Sequence, residues 1–345
     1  MPEVIIALLR KEDMPAFRSY IDQSFHEKYI LKDDTYLEWQ YDGICVAKVR
    51  GKIVGHLGYK DILYKIKSGT KIVRVLMNFY VSEPYRIFGV GAMLAKKVFE
   101  TKNYTLVLGF NPPTDKLGDR LRSGWWAAGY LKRYLSVLRP HDFFLHFVND
   151  KALKDIFVNY AKKNQDQQLS IKEEIKTDAT FDAFWKDVRV RYSVTVERDR
   201  RYLDWRFFEH PLFKYRILTA RDGQELLGFL IYRIETDCKF VIARVVDFVA
   251  AERAEKALLS TFLDKAKQEG AHAADFFFSG TMYNQAFVDS GFFKIEDTAL
   301  KEFPIYFSPV SYKRSYINVA YDFDVPLTNC FFTKADGDQD RPNPH

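Results

Sequence analysis

The chain has 345 residues with a formal net charge of +6, and 47% of its residues are hydrophobic. This length exceeds what one ordinary hydrophobic core accommodates, so we expect two domains. The modest charge gives no indication of a nucleic-acid partner. The three distant cysteines, Cys45, Cys238 and Cys330, argue against a disulfide framework and against a cysteine metal site.

Residues 4–9 form the first apolar run and predict a buried strand. The run follows an acidic residue, lacks a basic leader and is too short to span a membrane. We therefore expect a soluble, cytoplasmic protein without membrane insertion.

The next elements follow from caps and apolar periodicity. Asp13 is expected to cap a helix that tolerates Pro15 in its first turn. Residues 44–49 and 53–59 predict two strands joined by a hairpin turn at residues 50–52. Further strands are predicted at residues 71–81, 105–110 and 131–138, with a helix after residue 90 because apolar residues recur at helical spacing.

The most informative motif is Arg-x-x-Gly-x-Gly at residues 86–91. It lies between a predicted strand and a predicted helix. Glycines allow positive φ and close approach of a ligand to the backbone. The N-terminus of a helix also attracts anions through its dipole and its free N–H groups. The motif therefore predicts a binding site for a pyrophosphate group.

Three segments of the N-terminal half are repeated in order at a nearly constant offset. Residues 36–40 match residues 202–206, residues 53–59 match residues 226–232, and Asn78 aligns with Asp247. This pattern predicts two copies of one domain. We place their boundary in the polar segment between residues 149 and 176.

The second copy lacks the glycine motif. Its corresponding segment, residues 250–256, contains Glu252 and Glu255, which would repel a phosphate at a helix start. We therefore expect the pyrophosphate to bind to the first copy alone.

The order of elements around the glycine motif resembles the GNAT family of acyl-CoA transferases. The resemblance covers residues 4–138 and, as a degenerate copy, residues 182–327. It implies an α/β fold with two tandem GNAT-like domains, each a mixed β-sheet flanked by helices. Residues 1–150 would form the domain with the pyrophosphate loop, and residues 151–345 would complete the acceptor site.

The resemblance also implies which residues contact the acyl-coenzyme A donor. The loop would consist of Arg86, Ile87, Phe88, Gly89, Val90 and Gly91. The backbone of Phe79, Tyr80 and Val81 would pair with the pantetheine arm. Asn111, at the end of the following strand, would flank the thioester.

The family commonly places a glutamate as general base on the strand before the loop, but residues 75–80 contain no acid. The alternatives for the base are His56, His26, Asp61 or water, with Asp61 expected as a solvated turn acid. Asn78 could orient the amine or pack as a strand residue. Tyr80 could protonate the leaving thiolate.

The tandem layout further resembles bacterial sugar N-acyltransferases that act on dTDP-linked amino deoxyhexoses in surface polysaccharide (O-antigen) synthesis. The acceptor would then be a nucleotide-linked amino sugar, with contacts at Trp39, Arg122, Trp126, Ser279 and Asn284. Two other functions stay open, an aminoacyl-tRNA-dependent peptidyltransferase and a non-catalytic coenzyme-A-binding module. The oligomeric state also stays open, a homo-oligomer included.

The C-terminal segment carries Asp336, Asp338 and Asp340 at alternate positions. This spacing is found in calcium loops, but the segment lacks the length and the closing glutamate of such a loop. We expect no metal here, and the segment to be either a solvated tail or docked on a neighbouring half.

Overall fold

The structure is a computed structural model that describes residues 3–25, 29–100, 104–110, 126–140, 169–237, 240–297 and 316–340. The chain divides into two compact units. Unit 1 comprises Met1–Tyr130, Ile317–Pro326 and Asp336–His345, and unit 2 comprises Leu131–Tyr316 and Leu327–Ala335. Among the described residues, no helix is long and apolar enough to cross a membrane.

The elements of the first half follow in chain order. They are β1 (Val4–Leu8), α1 (Met14–Ser24), α2 (Asp34–Gln40), β2 (Gly43–Val49), β3 (Lys52–Ile66), β4 (Gly69–Val81), α3 (Glu83–Arg86), α4 (Val90–Phe99), β5 (Tyr104–Leu108) and β6 (Trp126–Val137).

The second half continues with the remaining elements. They are β7 (Ser170–Glu174), α5 (Ala179–Val188), β8 (Val194–Val196), α6 (Arg200–Leu203), β9 (Arg216–Asp222), β10 (Glu225–Asp237), β11 (Phe240–Ala250), α7 (Glu252–Gln268), β12 (Ala273–Phe278), α8 (Asn284–Asp289), β13 (Phe293–Lys294), β14 (Ile317–Tyr321) and β15 (Cys330–Phe331).

The sheet of unit 1 has the order β1-β2-β3-β4-β5-β14, and only the β4–β5 pair in it is parallel. The predicted hairpin between β2 and β3 is confirmed, with Val49 paired to Lys52. Arg50 and Gly51 both adopt positive φ, at 50° and 76°. Two such residues make the tight turn whose twist matches that of the flanking strands.

Helix α4 packs on this sheet through the apolar face that its sequence predicts. Val90, Leu94 and Val98 are buried together with Val54 and Leu57 of β3. Burial of such side chains is worth about 1.5–3 kcal/mol each and fixes where the helix begins over the sheet.

Helix α1 begins as predicted, with Pro15 in its first turn, but the expected cap is wrong. The Asp13 side chain makes no capping hydrogen bond. Its carboxylate accepts a hydrogen bond from Lys48 Nζ at 2.6 Å. That bond lowers the pKa of Asp13. The tertiary ion pair has replaced the local cap.

Unit 2 contains a sheet with the order β6-β12-β11-β10-β9-β7, in which residues 132–137 of β6 pair with β12. Its β10, β11, α7 and β12 repeat the order of β3, β4, α4 and β5, and β11 pairs with β12 in parallel. The predicted duplication of one fold is therefore confirmed. The predicted boundary near residue 150 lies outside the described residues and stays a prediction.

Two strands pair with strands that lie far away from them along the chain. β14 pairs with β5 in unit 1, and the β6 segment described above pairs with β12 in unit 2. Each sheet therefore contains a strand contributed by the other half of the sequence.

Candidate functional site

Strand β4 carries a bulge opposite β3. The pairing passes from Gly58 with Met77 to His56 with Tyr80, so β4 has one extra residue. Asn78 lies in this bulge with φ of 52°, a conformation that asparagine tolerates better than most residues. The bulge turns its side chain toward two tyrosines.

Those two tyrosines hold the Asn78 amide. Tyr29 Oη donates to Asn78 Oδ1 at 3.2 Å, and Asn78 Nδ2 donates to Tyr41 Oη. Both amide atoms are therefore engaged by hydroxyl groups, which fix the orientation of the side chain.

The parallel strands β4 and β5 separate just beyond their last pair, Leu76 with Val107. A cavity of about 180 Å³ occupies the opening. Polar and apolar groups both line it: Phe25, Tyr29, Leu57, Leu76, Met77, Asn78, Phe79, Tyr80, Ala95, Phe99, Val107, Leu108, Gly109, Phe110, Asp338 and Gln339. All of these residues belong to unit 1.

The glycine motif forms the turn between β4 and α4. Gly89 has φ of 73° and precedes the first residue of α4, Val90. The first helical hydrogen bond runs from Met93 N–H to Gly89 O at 3.1 Å. The N–H groups of residues 90–92 therefore have no acceptor within the regular hydrogen-bond pattern of the helix. A Cβ on Gly91 would lie 3.2 Å from Phe79 Cζ, a tight contact that favours glycine where α4 passes the Phe79 ring.

Arg86 ties this turn to the end of β4. Its Nε donates to Val81 O at 2.9 Å, and its guanidinium lies 5.7 Å from the centre of the Tyr80 ring. The residue is exposed, as are Ile87 and Gly89, whereas Phe88 packs against the core. The turn therefore exposes the Arg86 cation and the backbone around Gly89 at the surface.

His56 is buried beneath the cavity wall, with 1% of its surface exposed. Its Nδ1 lies 3.2 Å from Tyr20 Oη, and the rings of Phe17 and Phe25 meet it edge-on. Burial raises the pKa of Tyr20. This packing favours a structural role for His56.

Asp61 is not a solvated turn acid, contrary to the sequence-based expectation. It lies in β3, and its carboxylate accepts two hydrogen bonds from Arg74, from Nε at 2.7 Å and from a terminal nitrogen at 2.6 Å. The paired carboxylate raises the pKa of Arg74. Asp61 is thus held in an ion pair on β3.

Of the predicted acceptor contacts, Trp39 lies half-buried on α2, against the Tyr36 ring. In unit 2, the Ser279 hydroxyl donates to Cys330 O at 2.7 Å and accepts from Phe332 N–H at 2.9 Å. Asn284 begins α8.

Four other predicted contacts cannot be located. His26, Asn111 and Arg122 lie outside the described residues, as does the side chain of Trp126.

The structure adds residues to the cavity that the sequence did not single out. Tyr29 follows the first helix without any motif around it. Gln339 approaches from the C-terminal segment, and its Nε2 donates to Leu108 O at 3.0 Å. Asp338 lies beside it at the cavity. The alternating acids of this segment were the signal in the sequence, and they predicted a solvated or docked tail rather than a pocket.

The C-terminal segment is buried rather than solvated. Asp336, Asp338 and Asp340 are at most 4% exposed. Within the described parts of the chain, no three His, Cys, Asp or Glu side chains come together as a metal site would need.

Residues 8–102 match the model of the acetyltransferase (GNAT) family. No curated protein sequence matches the chain. The three solved structures described next resemble it in fold and are distant from it in sequence. One is a conserved protein of unknown function from Enterococcus faecalis V583, described as a probable N-acyltransferase. It has 12% identity and a TM-score of 0.61 over 93% of this chain and 72% of its own.

Two further structures share the fold. A GCN5-related N-acetyltransferase from Anabaena variabilis ATCC 29413 has 10% identity and a TM-score of 0.63 over 92% of this chain and 72% of its own. The Saccharomyces cerevisiae N-myristoyltransferase with bound myristoyl-CoA has 9% identity and a TM-score of 0.56. That alignment covers 95% of this chain and 86% of the yeast protein.

These matches define the fold. The chain has a tandem GNAT fold, and residues 8–102 in its N-terminal part carry the match to the acetyltransferase (GNAT) family.

Proposed function

We propose that this acyltransferase transfers an acyl group from acyl-coenzyme A to the amino group of a nucleotide-linked amino deoxy sugar, such as a dTDP-3-amino-3,6-dideoxyhexose, for surface polysaccharide biosynthesis. The observation that carries the proposal is the cavity between the diverging strands β4 and β5, in the same unit as the exposed glycine turn.

The glycine turn suits the diphosphate of coenzyme A. The N–H groups at the start of α4 are not donors in the regular hydrogen bonds of the helix, and the helix dipole is positive at this end. Gly89 leaves open space where a Cβ would stand, with nothing within 4 Å. Arg86, exposed at the same turn, adds a positive charge. A diphosphate would therefore be bound by backbone and guanidinium together.

The open end of β4 suits the pantetheine arm. Pairing with β5 stops at Leu76, so the backbone of Phe79, Tyr80 and Val81 lies beyond the last described β4–β5 pair. An amide-bearing chain can add to such an edge through backbone hydrogen bonds. The fold of the yeast N-myristoyltransferase, solved with myristoyl-CoA, supports an acyl-CoA donor.

The reaction then needs a positioned thioester and a neutral amine. The amine nitrogen attacks the thioester carbonyl, whose developing negative charge could be stabilised by N–H of Phe79 or Tyr80. The nitrogen loses its extra proton to a base as the carbon–sulfur bond breaks, and the Tyr80 hydroxyl donates a proton to the thiolate. Holding both substrates in the cavity would supply much of the rate.

The polar side of the cavity supports an acceptor rich in hydroxyl groups. Tyr29, Asn78 and Asp338 place a hydroxyl, an amide and a carboxylate on a cavity otherwise lined mainly by apolar groups. Such convergent polar groups fix the orientation of a small ligand. The resemblance of the tandem layout to sugar N-acyltransferases is the reason for proposing an amino sugar among polar amines.

The test is release of free thiol from acetyl-CoA with and without a dTDP-linked 3-amino-3,6-dideoxyhexose. We expect release that depends on the amino sugar, and none with the matched dTDP-6-deoxyhexose that lacks the amine. Binding of acyl-CoA without turnover over a panel of amines would favour the coenzyme-A-binding module. Transfer only with an aminoacyl-tRNA would favour the peptidyltransferase.

A further inference from the structure

We infer that Asp338, on the buried C-terminal segment, is the general base of this acyltransferase. The inference deepens the proposed function and rests on it, because it assigns a residue to the same amine acylation. Asp338 would supply the carboxylate that β4 lacks, and it lies more than 250 residues further along the chain than β4.

The other candidates in the described part of unit 1 are engaged elsewhere. Asp61 is paired with Arg74 on β3, and His56 is enclosed by aromatic rings beside Tyr20. Among the described residues that line the cavity, Asp338 provides the carboxylate. It is 4% exposed to solvent, so its environment is largely that of the cavity wall.

Neighbouring residues hold this carboxylate in place. Gln339 Nε2 donates to Asp338 Oδ1 at 2.7 Å and to Leu108 O at 3.0 Å, which ties the segment to the end of β5. Tyr64 Oη donates to Asp336 O at 3.3 Å. Four consecutive residues are thereby fixed where β5 leaves β4.

Small residues make this attachment tight. A Cβ on Gly337 would lie 3.1 Å from Leu108 Cδ1, so the segment lies directly on β5. Gly109 has φ of 73°, and a Cβ there would lie 2.1 Å from Gln339 Oε1. Glycine at residue 109 is therefore needed for Gln339 to reach the end of the strand.

The proton balance defines the role of Asp338. The neutral amine forms a bond from nitrogen to the carbonyl carbon, and the nitrogen becomes positively charged and strongly acidic. The Asp338 carboxylate accepts its proton as the carbon–sulfur bond breaks. The thiolate takes a proton from Tyr80, and the proton on Asp338 returns to the tyrosinate through solvent. The products are a neutral amide and free coenzyme A thiol.

The test compares Asp338→Asn with Asp340→Asn by thiol release from acetyl-CoA. The asparagine keeps an oxygen that accepts from Gln339, so the fold should be retained. Asp340 lies in the same buried segment but not on the cavity. We expect kcat to fall about 100-fold in Asp338→Asn, the usual scale for a lost general base. The Kd of acetyl-CoA should stay within twofold, and Asp340→Asn should keep wild-type kcat.

Two further readouts separate a base from a structural residue. In Asp338→Asn the acid-side decline of kcat with pH should follow the protonation of the acceptor amine alone, because the carboxylate is gone. Formate should restore part of the activity of Asp338→Ala, because it can occupy the vacated space as a carboxylate. A kcat within threefold of wild type in Asp338→Asn would overturn the inference.

The choice of acceptor keeps the two proposals distinguishable. The assay uses both the dTDP-amino sugar and glucosamine as a simple primary amine. Turnover of glucosamine alone would overturn the nucleotide-sugar acceptor while the Asp338 comparison still stands. No turnover with either amine, despite acetyl-CoA binding, would overturn both.

Discussion

The two units share one framework but use the same opening differently. Both have a bulge in the strand before the helix, at Asn78 in unit 1 and beside Asp247 in unit 2. In both, the following parallel strand separates beyond a few pairs, after Leu76 and after Val245. A duplicated fold thus supplies two similar openings.

Aromatic side chains fill the opening of unit 2. Tyr283 lies 4.8 Å from the Phe248 ring and 5.5 Å from the Phe331 ring, between ring centres. The Tyr283 hydroxyl also accepts from Ala250 N–H at 3.3 Å. In unit 1 the corresponding region is the cavity. The comparison indicates that a binding site and a packed core can be built on one strand geometry.

The turn after the bulged strand also differs between the units. In each, an arginine donates to the last carbonyl of the strand, Arg86 to Val81 O at 2.9 Å and Arg191 to Ala250 O at 2.7 Å. Unit 1 then has glycines and an open helix start. Unit 2 has an acidic first turn, in which Glu255 lies 3.7 Å from Arg191. A carboxylate of the chain thus occupies the helix end that would otherwise attract an anion.

The largest expected effect comes from exchanging the side chains at the two bulges. Asp247 and Arg198 form an ion pair with no exposed surface. Asp247→Asn leaves the buried guanidinium uncompensated and should lower the free energy of unfolding by about 3–5 kcal/mol. The reciprocal change, Asn78→Asp, lies at a half-exposed site between tyrosine hydroxyls and should cost less than about 1 kcal/mol. Urea denaturation measures both, and equal losses would contradict the comparison.

The second effect concerns which turn binds the diphosphate. Arg86→Glu should weaken acetyl-CoA binding about 100-fold, since it replaces a cation with an anion at the open helix start. Glu252→Ala, at the matching helix start of unit 2, should leave the Kd unchanged. Isothermal titration calorimetry measures both, with thermal melts to verify that each variant is folded. The reverse ranking would mean that unit 2 binds the coenzyme.

The smallest effect is the pH dependence of unit 2. Burial raises the pKa of Glu255 to about 7. The folded carboxyl therefore binds its proton more tightly than the unfolded one, and the folded state loses stability as pH rises from about 4.5 to 7. Glu255→Gln removes this titration. Between pH 5 and pH 8, the Tm of Glu255→Gln should fall by about 2–4 °C less than the Tm of the wild type falls.

A matched control for this effect is Glu252→Gln at the exposed start of the same helix. Burial is the main cause of the raised pKa of Glu255 and the charge of Glu252 a lesser one, so this variant should change the pH dependence of Tm far less than Glu255→Gln. If Glu255→Gln and the wild type lose the same Tm over this pH range, Glu255 is not the titrating group.

Local chemistry made the turns and the buried face of α4 predictable. Arg50 and Gly51 leave few options other than a tight turn between two apolar runs. Gly89 and Gly91 mark a helix start that closely approaches a strand. The apolar spacing of α4 indicated its buried face. Each of these signals lies within a few residues, so the free energy that selects the conformation is local.

The ion pairs of unit 1, by contrast, depended on which segments lie side by side in the folded sheet. Asp13 pairs with Lys48 instead of capping its helix, and Asp61 pairs with Arg74 instead of facing solvent. No local pattern predicts such pairs, because the partner can come from any strand of the sheet.

The residues alone predict two copies of one fold, because segments recur in the same order, and one glycine turn suited to a phosphate, because positive φ and helical periodicity are encoded within short segments. The pairing of β14 within unit 1 and the position of Asp338 and Gln339 at the cavity become apparent only in the folded chain. Those contacts join residues more than 200 positions apart, and their formation depends on the packing of the whole unit rather than on any local preference.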